Sequence, residues 1–286
     1  MMTPASLAQL RRKPHWSYSS LNTLLNICSL QWAFRYVYRI EPAFTPVALV
    51  FGGAFLKALE YAFRLRLDGH HAPPDTVADL FSDVLAQQIS VTQPDVRIPE
   101  GNNIDGLHQT GRKMVAAYLE SPQIGEKVVE VSAPFSVPLE DAEGRALAKP
   151  LIGEFDCVVE VEGRPVVVDW KTSARRWPKD KERQDLQPTC YLHAFRASGG
   201  RRDVLFRYDV ITKAKDPSVE QRPTVRHPDH THRLVEQIKV AEKMIRSELF
   251  LPNEQSWACA GCAYGMACEG WHRERARSLY DFQLVA

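Results

Sequence analysis

The sequence predicts an α/β protein, and three observations carry that expectation. Up to Gly125 apolar residues recur at helical spacing; beyond it β-branched residues alternate with others at period two. Helical patterning then returns between the last two strands and after them. The order is helices, three strands, a helix, a strand and a helix: an α/β core with helical additions at both ends. The 286 residues suffice for one large domain or two small ones. Four segments are expected: an N-terminal helical segment 1–45, a helical region 46–125, a core 126–228 and a C-terminal segment 229–286.

Ser19 or Ser20 can cap a first helix running to Tyr38, with Leu21, Leu24, Leu25 and Cys28 on one face. A second helix is expected over 51–67, where Leu56, Leu59 and Phe63 form the stripe, and the Gly-His-His-Ala-Pro-Pro run from Gly69 ends it. Residues 74–105 carry mostly acidic charge around a helical pattern at 77–89 and read as a solvated helical insertion. Another helix fits 108–120. Strands are expected at 128–137, 154–162, 164–171 and 203–212. A helix from about Arg183 to Ala197 separates the last two. A long helix follows at 231–250, and Pro252 closes it.

Composition narrows the function classes. Lys plus Arg is 36 and Asp plus Glu is 35, so the net charge of +1 excludes a histone-like polycation and an acidic solvating tail. The 44% hydrophobic content is that of a globular chain with a real core. No stretch approaches the ~20 apolar residues of a membrane span. The first residues lack the apolar run of a secretory signal, so a cytoplasmic protein with no membrane partner is expected.

The hairpin around Glu162-Gly163 concentrates the chemistry. With these as central turn residues, Asp156 falls opposite Asp169, and Lys171, two residues on, points to the same face. Phe155, Cys157, Val159, Val166, Val168 and Trp170 are expected on the other face. Two carboxylates at one spot repel unless a cation lies between them, and Mg²⁺ or Mn²⁺ takes such oxygen ligands. The Lys can stabilise a phosphate or position a water. The alternative is a solvated strand pair with an Asp–Lys surface bridge.

Gly153-x-x-Asp156, a turn, then Asp169-x-Lys171 resembles the PD-(D/E)XK nuclease superfamily, in its RecB-like, CRISPR-associated-type exonuclease branch. The following Gln187-x-x-x-Tyr191 resembles that branch's helical motif. The resemblance spans roughly residues 17–63 and 127–270. It implies a restriction-endonuclease-like core, a central mixed sheet flanked by helices, and metal-dependent cleavage of DNA. Asp156 and Asp169 would hold the metal, Lys171 would assist the water, Gln187 would orient site groups and Tyr191 would support the catalytic face. Upstream, Gly52-x-x-x-Leu56-x-x-Leu59-Glu60 keeps the family's frame but has Leu56 where the family has a His ligand. Glu60 can substitute as a metal ligand, or simply pair with Arg64 one turn on.

Cys259, Cys262 and Cys268 crowd into ten residues, a spacing that in a cytosolic chain suits metal or catalysis better than disulfides. By resemblance to the iron–sulfur members of this branch, Cys28 joins them around a [4Fe–4S] cluster that ties the chain's two ends together. Four thiolates suit zinc equally well. His272 as fourth ligand, or reduced structural cysteines, are the other readings. Cys157 and Cys190 read as buried small hydrophobes.

Arg175, Arg176, Lys179, Lys181 and Arg183 follow the second strand of the hairpin beside Trp177, and basic groups with an aromatic suit a phosphate track. Arg35 and Arg39 extend it. The alternative is a solvated loop partly neutralised by Asp180, Glu182 and Asp185. Taken together, the expectation is a metal-dependent DNA exonuclease with an iron–sulfur staple, acting on single strands or duplex ends in DNA repair or recombination. The alternatives are a DNA-binding module that has lost cleavage through Leu56, a homo-oligomer, or a subunit of a recombination or adaptation complex.

Overall fold

The computed structural model describes residues 5–121 and 126–283, with side chains as far as residue 274. Gly125, where the sequence changes character, lies outside the described residues. The chain opens with one-turn helix α1 (Leu7–Leu10), α2 (Tyr18–Asn22), a π-helical turn (Thr23–Ile27) and α3 (Ser29–Tyr36). Short strands β1 (Thr45–Pro46) and β2 (Val96–Arg97) pair in parallel. Helices α4 (Val47–Leu67) and α5 (Pro74–Val91) lie between them in sequence, and α6 (Ile104–Leu119) follows.

The main sheet comprises β3 (Lys127–Val137), β4 (Leu151–Val161), β5 (Arg164–Ser173), β6 (Leu205–Thr212) and β7 (Val219–Thr224), in that spatial order. Only β5–β6 is parallel. Parallel neighbours need a crossover, and α7 (Lys181–Gln184) and α8 (Gln187–Ala197) supply it. Helices α9 (Pro228–Arg246) and α10 (Gly265–Gln283) complete the chain. The mixed sheet flanked by helices is the architecture the sequence predicts.

Both sheet faces are buried. Cys157, Val159, Val166, Val168 and Trp170 pack on α4, α5 and α6, while Val158, Val167, Phe206, Tyr208 and Val210 pack with α8, α9 and the opening helices. The central strands therefore read as almost continuous apolar runs. Glu162 and Gly163 both have positive φ, 51° and 75°, the geometry of a tight two-residue hairpin turn, as the sequence predicts. Gly153 is required for packing: a Cβ there would lie 2.4 Å from the Phe135 ring.

Several elements differ from expectation. The first helix is capped by Ser17, whose hydroxyl accepts from Ser20 N–H, and it breaks at Cys28, where φ is −166°. The Cys28 thiol then caps α3. The predicted solvated insertion is core: Val77, Ala78, Phe81 and Leu85 of α5 are buried, and its acids occupy the outer face. Helix 183–197 is split at extended Asp185, with Pro188 in the first turn of α8. Strand β7 escaped notice because Val-Glu-Gln-Arg-Pro-Thr is polar and contains Pro223, which an edge strand tolerates.

Phe155 also differs, for its ring packs on Phe135 (4.7 Å) and Tyr191 (5.8 Å), on the side opposite Cys157. Alternation holds from Cys157 to Val161, where β4 pairs with β5. Before Cys157 the strand leaves that ladder, and Ser132, between the β3 partners of Phe155 and Cys157, has φ 50°. Strict period two does not carry through such a step.

Candidate active site

The hairpin pairs Cys157 with Val168 and Val161 with Arg164, the register that the sequence predicts. The ladder stops at Cys157, and the next residue substitutes its side chain: Trp170 N–H donates to Asp156 Oδ2 at 3.0 Å. Asp169 is only 1% exposed, so this is no solvated surface bridge. Lys171 Nζ lies 2.5 Å from Asp169 Oδ2. Gln187, at the start of α8, donates its amide to Asp169 Oδ1, and its carbonyl accepts from Tyr208 Oη at 3.4 Å. Tyr191, one turn further, packs edge-on to Phe135, Phe155 and Phe206. The structure therefore brings Asp156, Asp169, Lys171, Gln187 and Tyr191 together.

Burial and the neighbouring Asp169 charge push Asp156 well above the usual carboxylate range. Burial also raises Asp169, against the pull of Lys171. For Lys171, burial favours losing the proton, but Asp169 and Asp156 outweigh it and raise its pKa. Burial, then the Asp169 and Asp156 charges, keeps the Tyr191 phenol protonated. Two acids share one ammonium, an arrangement short of positive charge. A hard divalent cation fits that deficit by donor chemistry. Among the described residues no three His, Cys, Asp or Glu side chains form a ready-made metal nest.

Glu60 makes the Arg64 ion pair that the sequence offers as one of its two roles. It pairs with Lys57 and Arg64, each at 2.7 Å, and these outweigh burial to hold its pKa below the ordinary range. Leu56 packs against the α4–α6 core. A carboxylate that sequence reasoning overlooked, Glu154, is raised by burial and by Glu60, and its charge is felt in turn by Asp156. Its signal was its place beside Gly153 and two residues from Asp156.

The roles of Asp185 and Arg226 were also missed. Asp185 Oδ1 accepts Gln187 N–H at 2.9 Å, just ahead of α8. Arg226, 4% exposed, donates to the carbonyls of Glu182, Arg183 and Asp185 at 2.9–3.0 Å, gathering the turn from which Gln187 projects. Burial, then Asp185, raises the Tyr18 hydroxyl. No motif marks Asp185 or Arg226, because their roles arise from distant strands and turns.

Cys28, Cys259, Cys262 and Cys268 line one cleft of about 440 Å³ at the junction of the two chain ends. Burial raises the Cys268 thiol, and the nearby Cys28, Cys262 and Cys259 add to it. Leu30 N–H to Leu251 O (3.1 Å) and Asn253 Nδ2 to Ile27 O (2.9 Å) tie the same ends. His272 also lines the cleft. Cys157 and Cys190 are fully buried elsewhere.

The five basic side chains of the loop, Arg175, Arg176, Lys179, Lys181 and Arg183, are all exposed. Arg176 pairs with Glu220 at 3.2 Å. Trp177 is half-buried with its ring 4.8 Å from Tyr208, and the Lys181 ammonium lies 4.2 Å over it. Arg35 is exposed, over the Tyr36 ring, and Arg39 is exposed with φ 53°. No helix among the described residues is long and apolar enough to cross a membrane.

The family model described as the PD-(D/E)XK nuclease superfamily matches residues 15–269. A search of curated proteins finds no match. Among solved structures, a protein from Eubacterium rectale, provisionally named an exonuclease, superposes with TM-score 0.54 at 12% identity. The match covers 91% of this chain and 94% of that one. The structure of SSO0001 gives 14% identity over 79% of this chain and 85% of its own, with TM-score 0.35, too low to carry an argument. The first of these supports the fold alone.

Proposed function

Because the chain belongs to the PD-(D/E)XK nuclease superfamily, we propose that it is a divalent-metal-dependent deoxyribonuclease, an exonuclease acting on single-stranded DNA or duplex ends. The observation that carries this reading is the buried meeting of Asp156, Asp169 and Lys171. Asp156 and Asp169 would hold Mg²⁺ or Mn²⁺. When bound, the ion supplies charge neutralisation at the phosphoryl group and a more acidic water. Lys171, protonated beside both carboxylates, holds the attacking water or a phosphate oxygen. Gln187 fixes the Asp169 carboxylate by donating to Oδ1. Tyr191, clamped among three phenylalanines, walls the site and keeps α8 in register with β4 and β6.

By the sequence resemblance, Cys28, Cys259, Cys262 and Cys268, which line one cleft without forming a ready ligand group among the described residues, would hold a structural [4Fe–4S] cluster, with zinc as the alternative. An absorbance spectrum of anaerobically purified protein separates them, since a broad shoulder near ~400 nm belongs to iron–sulfur and is absent with zinc. DNA repair or recombination in the cytoplasm, alone or within a larger assembly, is the setting this activity suits.

A second reading, a DNA-binding module without cleavage, draws on Leu56 in the apolar core and Glu60 tied to Lys57 and Arg64. Release of nucleotides from end-labelled single-stranded DNA, with Mg²⁺ or Mn²⁺ and with chelator, decides between them. Metal-dependent release supports the nuclease; binding without release supports the module.

A further inference from the structure

Beside the α7–α8 turn lie two adjoining clefts, each of about 410 Å³, that share Arg183, Arg226 and His230 as lining. His227 completes the first; Arg233 stands in the second, opposite the π-helical turn. The single carboxylate in their lining, Asp185, is committed to Gln187 N–H. In a chain of net charge +1, this is a local excess of cationic and imidazole groups.

The cations differ in availability. Arg226 is buried and fixed by main-chain carbonyls, a rigid positive floor. Arg233 is exposed and makes no ion pair among the described residues. Arg183 is exposed and has only a 3.4 Å surface pair with Asp180. In the preceding loop Arg176 pairs with Glu220 and Lys181 lies over Trp177, Arg175 and Lys179 are exposed, and none of the four lines either cleft. The wall between clefts and active site is Asp185-Leu186-Gln187, and Gln187 contacts Asp169 directly.

We propose that this groove, with Arg183, His230 and Arg233 on its sides and Arg226 beneath, binds the phosphate backbone of the single-stranded DNA that enters the site. The proposal rests on the nuclease reading and adds the strand's path, which runs past α9 rather than over the loop at Arg175–Trp177. Cations along a concave track, with side-chain amides of Asn26 and Gln237 facing it, bind a backbone without reading sequence.

The test is fluorescence anisotropy of a fluorescein-labelled oligothymidylate across a salt series in calcium chloride. For the Arg183→Ala/Arg233→Ala double variant, the slope of log affinity against log salt should become shallower by about 1.4, at about 0.7 per phosphate contact on a single strand. The Arg175→Ala/Arg176→Ala variant should keep the wild-type slope. An unchanged slope in the first variant, a reduced slope in the second, or no binding by the wild-type protein overturns the proposal. Manganese-dependent hydrolysis of bis(4-nitrophenyl) phosphate, too short to reach the groove, should stay at the wild-type rate in the Arg183/Arg233 variant; its loss there also overturns the groove. Binding of the oligonucleotide by the wild-type protein with the expected slope change in the Arg183/Arg233 variant, but no wild-type hydrolysis of bis(4-nitrophenyl) phosphate or of end-labelled single-stranded DNA in Mn²⁺, contradicts the nuclease reading instead.

Discussion

The backbone N–H of Trp170 donates to Asp156 Oδ2 at 3.0 Å, where the β4–β5 ladder has just ended. One carboxylate thus does two jobs: it closes the hairpin and stands beside Asp169. The two jobs separate by substitution. Asp156→Asn keeps an acceptor for Trp170 and loses the charge, so it should fold at least as well as wild type near neutral pH and cleave no DNA. Asp156→Ala also leaves a buried N–H unpaired, which costs about 1–3 kcal/mol. Urea denaturation of the two variants checks the difference.

The same pair sets a pH dependence in metal-free protein. Asp156 and Asp169 have pKa values raised by burial. Their contribution to stability is therefore full below the ordinary carboxylate range and is lost as pH rises through the raised folded values. Asp141 has the opposite sign: hydrogen bonds from the Arg145 backbone and side chain depress it, so its contribution is present above the ordinary range and lost in strong acid. Melting temperature should rise on mild acidification from neutrality and collapse at lower pH. Asp156→Asn should flatten the first limb, and saturating Mg²⁺ should do the same.

Lys171→Met should lower turnover by roughly 10²- to 10⁴-fold. Metal affinity should survive, because an ammonium is no ligand. Isothermal titration with Mn²⁺ separates the two effects, and loss of metal binding would assign Lys171 a structural role instead.

Cys28→Ser should lose bound metal and melting temperature together, since ligation at the junction of both chain ends is folding free energy. Cys157→Ala and Cys190→Ala, buried away from the cleft, should keep the metal content. Metal analysis and limited proteolysis at both ends read this out. Full metal content in Cys28→Ser would place the fourth ligand elsewhere.

Tyr118 Oη accepts from Trp170 Nε1 and donates to Asp209 Oδ2, both at 2.7 Å. Tyr118→Phe orphans the buried indole N–H and should destabilise the fold by about 1–3 kcal/mol. Asp209 retains Arg207, so the loss should not be larger.

The hairpin was legible in the sequence because its turn, its period and its motif all agree: Glu162-Gly163 set the register that places Asp156, Asp169 and Lys171 together, while Gln187 and Tyr191 came from the family's helical motif. Failures came where a local rule met a tertiary one. Cys28 breaks a helix that periodicity alone would continue, and the polar β7 is a strand because β6 lacks a partner on that edge. The acidic surface of α5 hid its buried face. Glu60 fits the motif's frame equally well as ligand or as ion-pair partner, and its two ion pairs, to Lys57 and Arg64, lie on its own helix. Arg226 and Asp185 carry no pattern at all, since their bonds join turns that are distant in sequence.

The central claim is that Asp169, between Lys171 and Gln187, is the acid on which metal-dependent cleavage depends. Asp169→Asn is nearly isosteric and keeps the buried site filled, so loss of folding should not obscure the chemistry. The direct measurement is nucleotide release from end-labelled single-stranded DNA in Mg²⁺ or Mn²⁺, wild type against Asp169→Asn at matched melting temperature. Metal-dependent release is expected from the wild-type protein, and none above background from the variant. Release by Asp169→Asn at the wild-type rate would contradict the central claim.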